Sequence, residues 1–310
     1  MDGALVLDKP DGMTSHDAVL AARRLLGEKR IGHLGTLDPF ATGVLVLLIG
    51  RATRLAQFYR DRTKTYCGVA RFGYATDTGD RTGIALGSDA APQLNRQQLC
   101  AIFEEFLGPR LQQPPAVSAK KLVGTPAYKL ARRGVAVELK PVPVVIHALQ
   151  LRWVEGARAG FQATVSSGTY LRALVRDMGQ RLGVGAHLEE LRRVAVGEFT
   201  ERNALKLEEL ADRASQGTVP LLPLEELLPE IPRVVLTHTD AERAIHGGVL
   251  RLAAGAPQVA LKDRQQRLLG IAERVAENLY HPKVVLVTET SGCRPGLPEP
   301  SANRAGPGRR

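Results

Sequence analysis

The feature that most constrains this chain is an uninterrupted apolar run, VLVLLI at residues 44–49, closing the stretch GHLGTLDPFATGVLVLLIG at residues 32–50. A run with no polar residue suits a strand covered on both faces. The loop before it is punctuated by glycine, threonine and proline and carries a single carboxylate, Asp38. Pro39 disfavours helical backbone at Asp38, which places that acid on a constrained loop at the rim of a rigid sheet, where catalytic groups are often held. An Asx turn, with Asp38 bonding its own backbone, fits the same residues. These residues by themselves do not separate the two.

The surroundings of the loop are basic. Residues 21–64 hold nine Lys and Arg against three acids, in a chain of net charge +10 and pI about 9.8. Such an excess concentrates polyanions near the loop, nucleic acid foremost; a solvated face without a partner is the simpler alternative. Cys67, Cys100 and Cys293 are far apart, with no C-x-x-C. That argues against a disulfide framework or structural zinc and fits a reducing cytoplasm. MDGALVLDKP lacks the basic start and long apolar stretch of a secretory signal. No apolar run approaches the roughly 18 residues that span a membrane.

With 310 residues and 44% hydrophobic content, a large domain plus a smaller one is expected. LVLDKPDGMTSHDAVLAARRLLG reads as strand, turn and helix, with Thr14 and Asp17 at capping-box spacing and Gly27 at the stop. A strand is expected from about Thr65 to Tyr74, a helix from about Asn95 to Leu107, and strands in VVIHALQLRWV and GFQATV. Next, Leu171, Leu174, Val175, Met178 and Leu182 make one apolar helical stripe, with Arg172 in its first turn behind a cap-like Ser-Ser-Gly-Thr. AHLEELRRVAVGEF reads as a helix passing into a strand. The basic, proline-flanked QQPPAVSAKKLVGTPAYKLARRGVAV reads as a protruding element whose charges await a partner. Three prolines in LLPLEELLPEIPRV mark a boundary, and the short strand candidates beyond it suit a small β-rich module.

Several familiar sites are set aside. The single D-T-G at residues 77–79 lacks the second carboxylate that an aspartic protease needs. The glycines around Asp38 match neither the P-loop nor the dinucleotide fingerprint, and the dispersed histidines include no H-E-x-x-H. What remains is a carboxylate on a constrained loop, basic surroundings and an arginine in a helix's first turn. A carboxylate acts as nucleophile, or steadies a developing oxocarbenium carbon, where a glycosidic bond breaks. An arginine partner keeps it ionised and aimed.

Five blocks, KPDGMTSHD, GHLGTLDPFATGVL, KTYCGVARFGYATDTGD, PPAVSAKK and SSGTYLRALVRDMG with AHLEELRR, resemble in order and spacing the motifs of the bacterial TruB family of tRNA pseudouridine(55) synthases. The likeness covers roughly residues 3 to 200, and G-T-L-D-P-x-A-T-G is highly specific. It implies an α+β pseudouridine-synthase fold with a mixed, largely antiparallel sheet over residues 1–230, carrying an RNA-binding insertion at about 114–142. A small PUA-like β-barrel domain is implied at 231–288, and a disordered tail is expected at 289–310.

The resemblance further implies isomerisation of uridine 55 in the T loop of tRNA, by base flipping, C1′–N1 cleavage and C1′–C5 re-joining, with no cofactor and no metal. Asp38 would be the catalytic carboxylate, Tyr66 would stack on the uracil and help to remove a proton, and Arg172 would pair with Asp38. Among substrate-binding residues, His33 would fill space left by flipped nucleotides and Leu191 would line the uracil pocket. Lys9 would support the site, and Lys120 and Lys121 would open the insertion that closes over RNA. Asp77 and Asp80 are given no role beyond structuring their loop. The expected partner is the T stem-loop of tRNA, bound by a monomeric cytoplasmic chain with no membrane and no obligatory protein partner. Two other classes stay open: a non-catalytic RNA-binding or RNA-folding protein, and a synthase guided by a separate RNA. A plain glycoside hydrolase is disfavoured, since no second acid is placed by sequence.

Overall fold

The computed structural model describes residues 1–115 and 139–287, with the backbone alone of residues 121–122 and 125–126. Most of the insertion expected at about 114–142 therefore lies outside the described residues, as do Lys120, the side chain of Lys121 and the tail expected at 289–310. The chain divides into two compact units, one of residues 1–228 and one that begins at residue 229.

The first unit is organised by the apolar run. Gly3–Lys9 (β1), Ile31–His33 (β2) and Thr42–Ile49 (β3) pair antiparallel, with β3 in the middle. Residues 44–49 are at most 1% exposed, so both faces of β3 are covered, as a strand without polar residues requires. Leu45, Leu47 and Ile49 share one core with Leu5 and Leu7 of β1 and with Val19 and Ala22 of the helix Ser15–Leu26 (α1). Each of the Leu, Ile and Val side chains among them, fully buried, stabilises the fold by about 1.5–3 kcal/mol.

Around β3 the sheet grows to nine strands among the described residues: Lys64–Phe72 (β4), Gly108–Gln112 (β5), Val142–Glu155 (β6), Arg158–Val165 (β7), Ala186–Val196 (β8) and Phe199–Thr200 (β9) complete it. The order is β1-β3-β8-β4-β7-β6-β5, with β2 on β3 and β9 on β8. One contact is parallel, β3 against β8, where Arg192 stands beside Thr42 and Arg193 beside Gly43. The sheet is mixed and largely antiparallel.

The helices follow local signals. In α1, Thr14 and Asp17 form the capping box and Gly27 closes the helix at φ 62°. Asn95 caps Arg96–Glu105 (α2) by accepting from two backbone N–H groups. Leu171–Leu182 (α3) buries Leu171, Leu174, Val175 and Met178. Its cap departs from expectation, because Tyr170 is the N-cap and gives no side-chain bond. The Ser166 hydroxyl instead accepts from the Val145 N–H at 2.8 Å, tying the segment to β6. The last helix of this unit is Leu207–Ser215 (α4).

AHLEELRR is a correction. Its Leu, Glu and Arg favour helix, yet residues 186–196 form β8, bonded to β4 on one side and β3 on the other. Two vacant sheet edges outweigh a propensity preference of tenths of a kcal/mol per residue. A register shift between Leu188 and Glu190 lets the Glu-Glu pair sit in a strand that buries Leu188 and Leu191.

The second unit is β-rich. Arg233–Val235 (β10), Leu250–Arg251 (β11), Gln258–Lys262 (β12), Leu268–Ala276 (β13) and Leu279–Val285 (β14) form a sheet in the order β10-β12-β13-β14-β11. Leu250, Val259, Leu261 and Tyr280 fill its own core. His238–Ile245 (α5) was not anticipated, although Thr237 announces it by accepting from the Asp240 N–H at 3.1 Å.

Gly43 is where backbone geometry admits no substitute. It sits at φ +99°, and a Cβ there would lie 2.2 Å from the Arg193 carbonyl oxygen. Gly43→Ala is expected to lose about 2–4 kcal/mol of stability by urea unfolding, from strain and from displacement of β8. A loss below about 0.5 kcal/mol would contradict the tight β3–β8 contact.

Candidate active site

The Asp38 loop joins β2 to β3 and is fastened on both sides of the acid. The Ser15 hydroxyl accepts from the Leu37 N–H at 2.8 Å and donates to the Leu37 carbonyl at 3.2 Å. The Pro39 carbonyl accepts from the Gly12 N–H at 2.9 Å and from Lys9 Nζ at 3.2 Å. The peptides flanking Asp38 are thus pinned by residues contributed from β1, its turn and α1. The Asp38 carboxylate turns to Arg172, 134 residues away, and an Asx turn does not describe it.

Arg172, in the first turn of α3, is 4% exposed and lies between two carboxylates. Its Nε is 2.9 Å from Asp38 Oδ2 and its Nη2 donates to Asp38 Oδ1 at 3.3 Å, a forked pair. Nη1 donates to the Thr78 carbonyl at 2.7 Å and lies 3.4 Å from Asp80 Oδ2. Asp80 is buried and held in turn, accepting from the Thr78 hydroxyl at 2.9 Å, the Thr82 N–H at 2.9 Å and the Thr82 hydroxyl at 2.5 Å. Three charges from three separate segments form one row, and only its Asp38 end opens outward, with 37% of that side chain exposed.

Desolvation at this position raises the Asp38 carboxyl above its ordinary value of 3.8; Arg172 and Lys9 oppose the rise, and Asp80 adds to it. A carboxylate so placed is a stronger base and nucleophile than a free one, at the cost of needing a higher pH to ionise.

Asp38 opens into a cavity shared with Tyr66 on β4, Leu191 and Arg193 on β8, Lys64, and the segment Ser167 to Arg172 that leads into α3. Sheet register explains the grouping: Tyr66 pairs across with Arg193 and Leu191 with Gly68. Tyr66 and Leu191 are 6% and 8% exposed, leaving apolar walls with little freedom.

Two expected residues lie outside the Asp38 cavity. The resemblance counts Lys9 among substrate-binding residues, but it is fully buried and its ammonium donates to the carbonyls of Pro10, Met13 and Pro39 at 2.7, 2.6 and 3.2 Å. No donor is left for RNA, so Lys9 braces the loop. His33 stands on β2, outside the Asp38 cavity, and burial followed by the nearby Arg193 charge keeps its imidazole below the ordinary 6.5. Among the described residues no group of three or more His, Cys, Asp or Glu side chains is placed to hold a metal ion, and no helix is long and apolar enough to cross a membrane.

The TruB family pseudouridylate synthase N-terminal domain matches residues 23–171, and the tRNA pseudouridylate synthase B C-terminal domain matches residues 172–229. The chain is 46% identical over 293 residues to tRNA pseudouridine synthase B of Solibacter usitatus, covering 92% of this chain and 100% of that protein. Its identity to the protein of that name from Aquifex aeolicus is 41% over 249 residues, covering 80% and 86%. The chain belongs to the TruB family. It is therefore an enzyme, a pseudouridine synthase. Solved structures bear out the fold. The Nop10–Cbf5 complex of the archaeal box H/ACA ribonucleoprotein aligns at TM-score 0.69 and 22% identity, covering 92% of this chain and 86% of that one. An H/ACA ribonucleoprotein bound to a substrate RNA containing 2′-deoxyuridine aligns at TM-score 0.70 and 22% identity, covering 92% and 85%.

Three members of the site in this TruB family chain escaped the sequence reading, among them Lys64, which counted there only toward the basic excess of residues 21–64. Asp80 looked like a loop-structuring acid, and only the fold brings it to Arg172. Arg193 sat in an Arg-Arg pair whose partner Arg192 binds Asp8 at the surface; strand alternation was the available signal, and the helical reading of AHLEELRR concealed it.

A carboxyl-carbon NMR titration is expected to place the Asp38 pKa above 3.8. Because the folded value is raised, the carboxylate, and any chemistry that needs it, is lost as pH falls through that raised value. Asp80→Asn is expected to lower it by removing a neighbouring negative charge. Titration at or below 3.8, or no response to Asp80→Asn, would contradict the charge row.

Proposed function

We propose that this chain converts uridine 55 in the T loop of tRNA to pseudouridine, with Asp38 as the catalytic carboxylate. The observation that carries the reading is the open end of the charge row: a partly buried carboxylate of raised pKa, aimed by a buried arginine into a cavity with apolar walls. The names of the bacterial relatives, all tRNA pseudouridine synthase B, supply the substrate class.

In this reading the target nucleotide is flipped out of its stack and its uracil lies between Tyr66 and Leu191. Asp38 attacks the ribose, the C1′–N1 bond breaks and its electron pair leaves with the uracil. The ring turns within the walls, C5 bonds to C1′ as the Asp38–C1′ bond breaks and frees the carboxylate, the proton on C5 departs with Tyr66 the group placed to help, and N1 takes up a proton. Arg172 keeps Asp38 ionised and oriented. Pseudouridine is an isomer of uridine, so the chemistry calls for no cofactor or co-substrate.

Residues 1–230 form the catalytic domain, with residues 114–142, including Lys120 and Lys121, closing over RNA; residues 231–288 act as a PUA-like RNA-binding domain. His33 fills space that the flipped nucleotides vacate. The chain works as a monomer in the cytoplasm, without a guide RNA or an obligatory protein partner.

The test is Asp38→Asn with a T stem-loop RNA. Pseudouridine formation is expected to fall by at least about 10³-fold, while RNA affinity stays within threefold of the parent. The parent chain alone should convert an excess of RNA, which neither a stoichiometric binder nor a guided synthase would do. Full yield from Asp38→Asn would remove the mechanism.

A further inference from the structure

The charge row accounts for one side of the cavity. The same cavity is lined by two cations, Lys64 and Arg193, and neither is paired with an acid of the row. Arg193 is fully buried; its Nε donates to the Val44 carbonyl at 2.7 Å and its Nη2 to the Gly35 carbonyl at 3.0 Å, while its buried Nη1 has no partner. Lys64 Nζ donates to the Arg62 carbonyl at 2.9 Å. No ion pair among the described residues includes either side chain.

The two approach one point. A Cβ added at Gly35 would lie 3.3 Å from Lys64 Cε and 3.4 Å from Arg193 Nη1. Burial, followed by the Arg193 charge, pushes the Lys64 ammonium down to about 8, with Asp61 opposing. A buried guanidinium without a carboxylate is costly to keep charged, and Arg stays charged in proteins. Among the described residues no acid forms an ion pair with either cation, which leaves room for a counter-charge from outside the chain. On the function proposed above, the groups entering this cavity are a uracil, a ribose and the phosphates beside them, and of these the phosphates carry the charge.

We propose that Lys64 and Arg193 form an anion subsite for a phosphate flanking the flipped uridine, Lys64 as the contacting group and Arg193 as the buried charge behind it. Held there, the nucleotide presents its ribose to Asp38 in the same cavity. The subsite rests on the reading of the Asp38 cavity as the uridine pocket. It adds what that reading lacks, a fixed point on the backbone that sets which face of the sugar the carboxylate meets.

The experiment is a double-mutant cycle between protein and RNA. T stem-loop RNAs carry one neutral methylphosphonate, either 5′ or 3′ of the target uridine, and their affinity is measured by fluorescence titration with the full chain and with Lys64→Met. The parent is expected to bind one of the two modified RNAs about tenfold more weakly than unmodified RNA. Lys64→Met should bind unmodified RNA about tenfold more weakly and lose less than threefold further with that same modification. Lys64→Arg, which keeps the charge, should restore the sensitivity and guards against a folding defect in Lys64→Met. Additive losses at both positions, with the parent still converting unmodified RNA, would overturn the subsite alone. Failure of the parent to convert unmodified RNA would instead overturn the proposed function.

Discussion

Arg172 held between Asp38 and Asp80 is the interaction on which the rest of this structure turns. A guanidinium buried to 4% exposure is tolerable only where its donors are answered. Here they are answered by two acids and a carbonyl brought from the β2–β3 loop and from the segment after β4. Asp80 is enclosed, whereas Asp38 keeps part of its surface free. The arrangement spends the arginine's charge on fixing one carboxylate that faces outward. Desolvation lifts that carboxyl above its ordinary value and Arg172 restrains the lift, so basicity and ionisation are set against each other at one atom pair.

The row rests on a loop that is pinned on both sides of the acid. Ser15 holds the Leu37 peptide, and Gly12 and Lys9 hold the Pro39 carbonyl. Lys9 is the informative member, since a fully buried ammonium with three backbone acceptors is a structural pin. Below it, β3 is sealed on both faces, and Gly43 lets β8 approach closely enough to bring Leu191 and Arg193 to the cavity. The apolar run, its preceding glycine and the acid between them thus serve a single end, a carboxylate on a rigid rim.

Much of this was legible in the residues. The polar-free run suited a covered strand, Pro39 kept Asp38 out of a helix, and the Thr14–Asp17 box and Gly27 bounded α1. The failures share a physical cause. AHLEELRR has helical composition and became a strand because β3 and β4 offered it two edges, information that lies more than 110 residues away in the chain. Asp80 sits in a D-T-G-D loop that is locally self-sufficient, and nothing nearby tells of an arginine on α3. Arg193 is separated from Arg192 by strand alternation alone, one sealed under the cavity and the other paired at the surface. Local signals set element starts and stops; long-range pairing decided which charged groups met.

The central claim is that Asp38 meets the ribose of a flipped uridine while Arg172 still grips it. A crystal structure of the chain bound to a T stem-loop carrying a non-isomerisable uridine analogue tests this directly. The account predicts an Asp38 oxygen at about 3–3.5 Å from C1′, with both Arg172 contacts retained. A carboxylate turned away from the sugar, or an Arg172 released from Asp38 onto the RNA backbone, would contradict it.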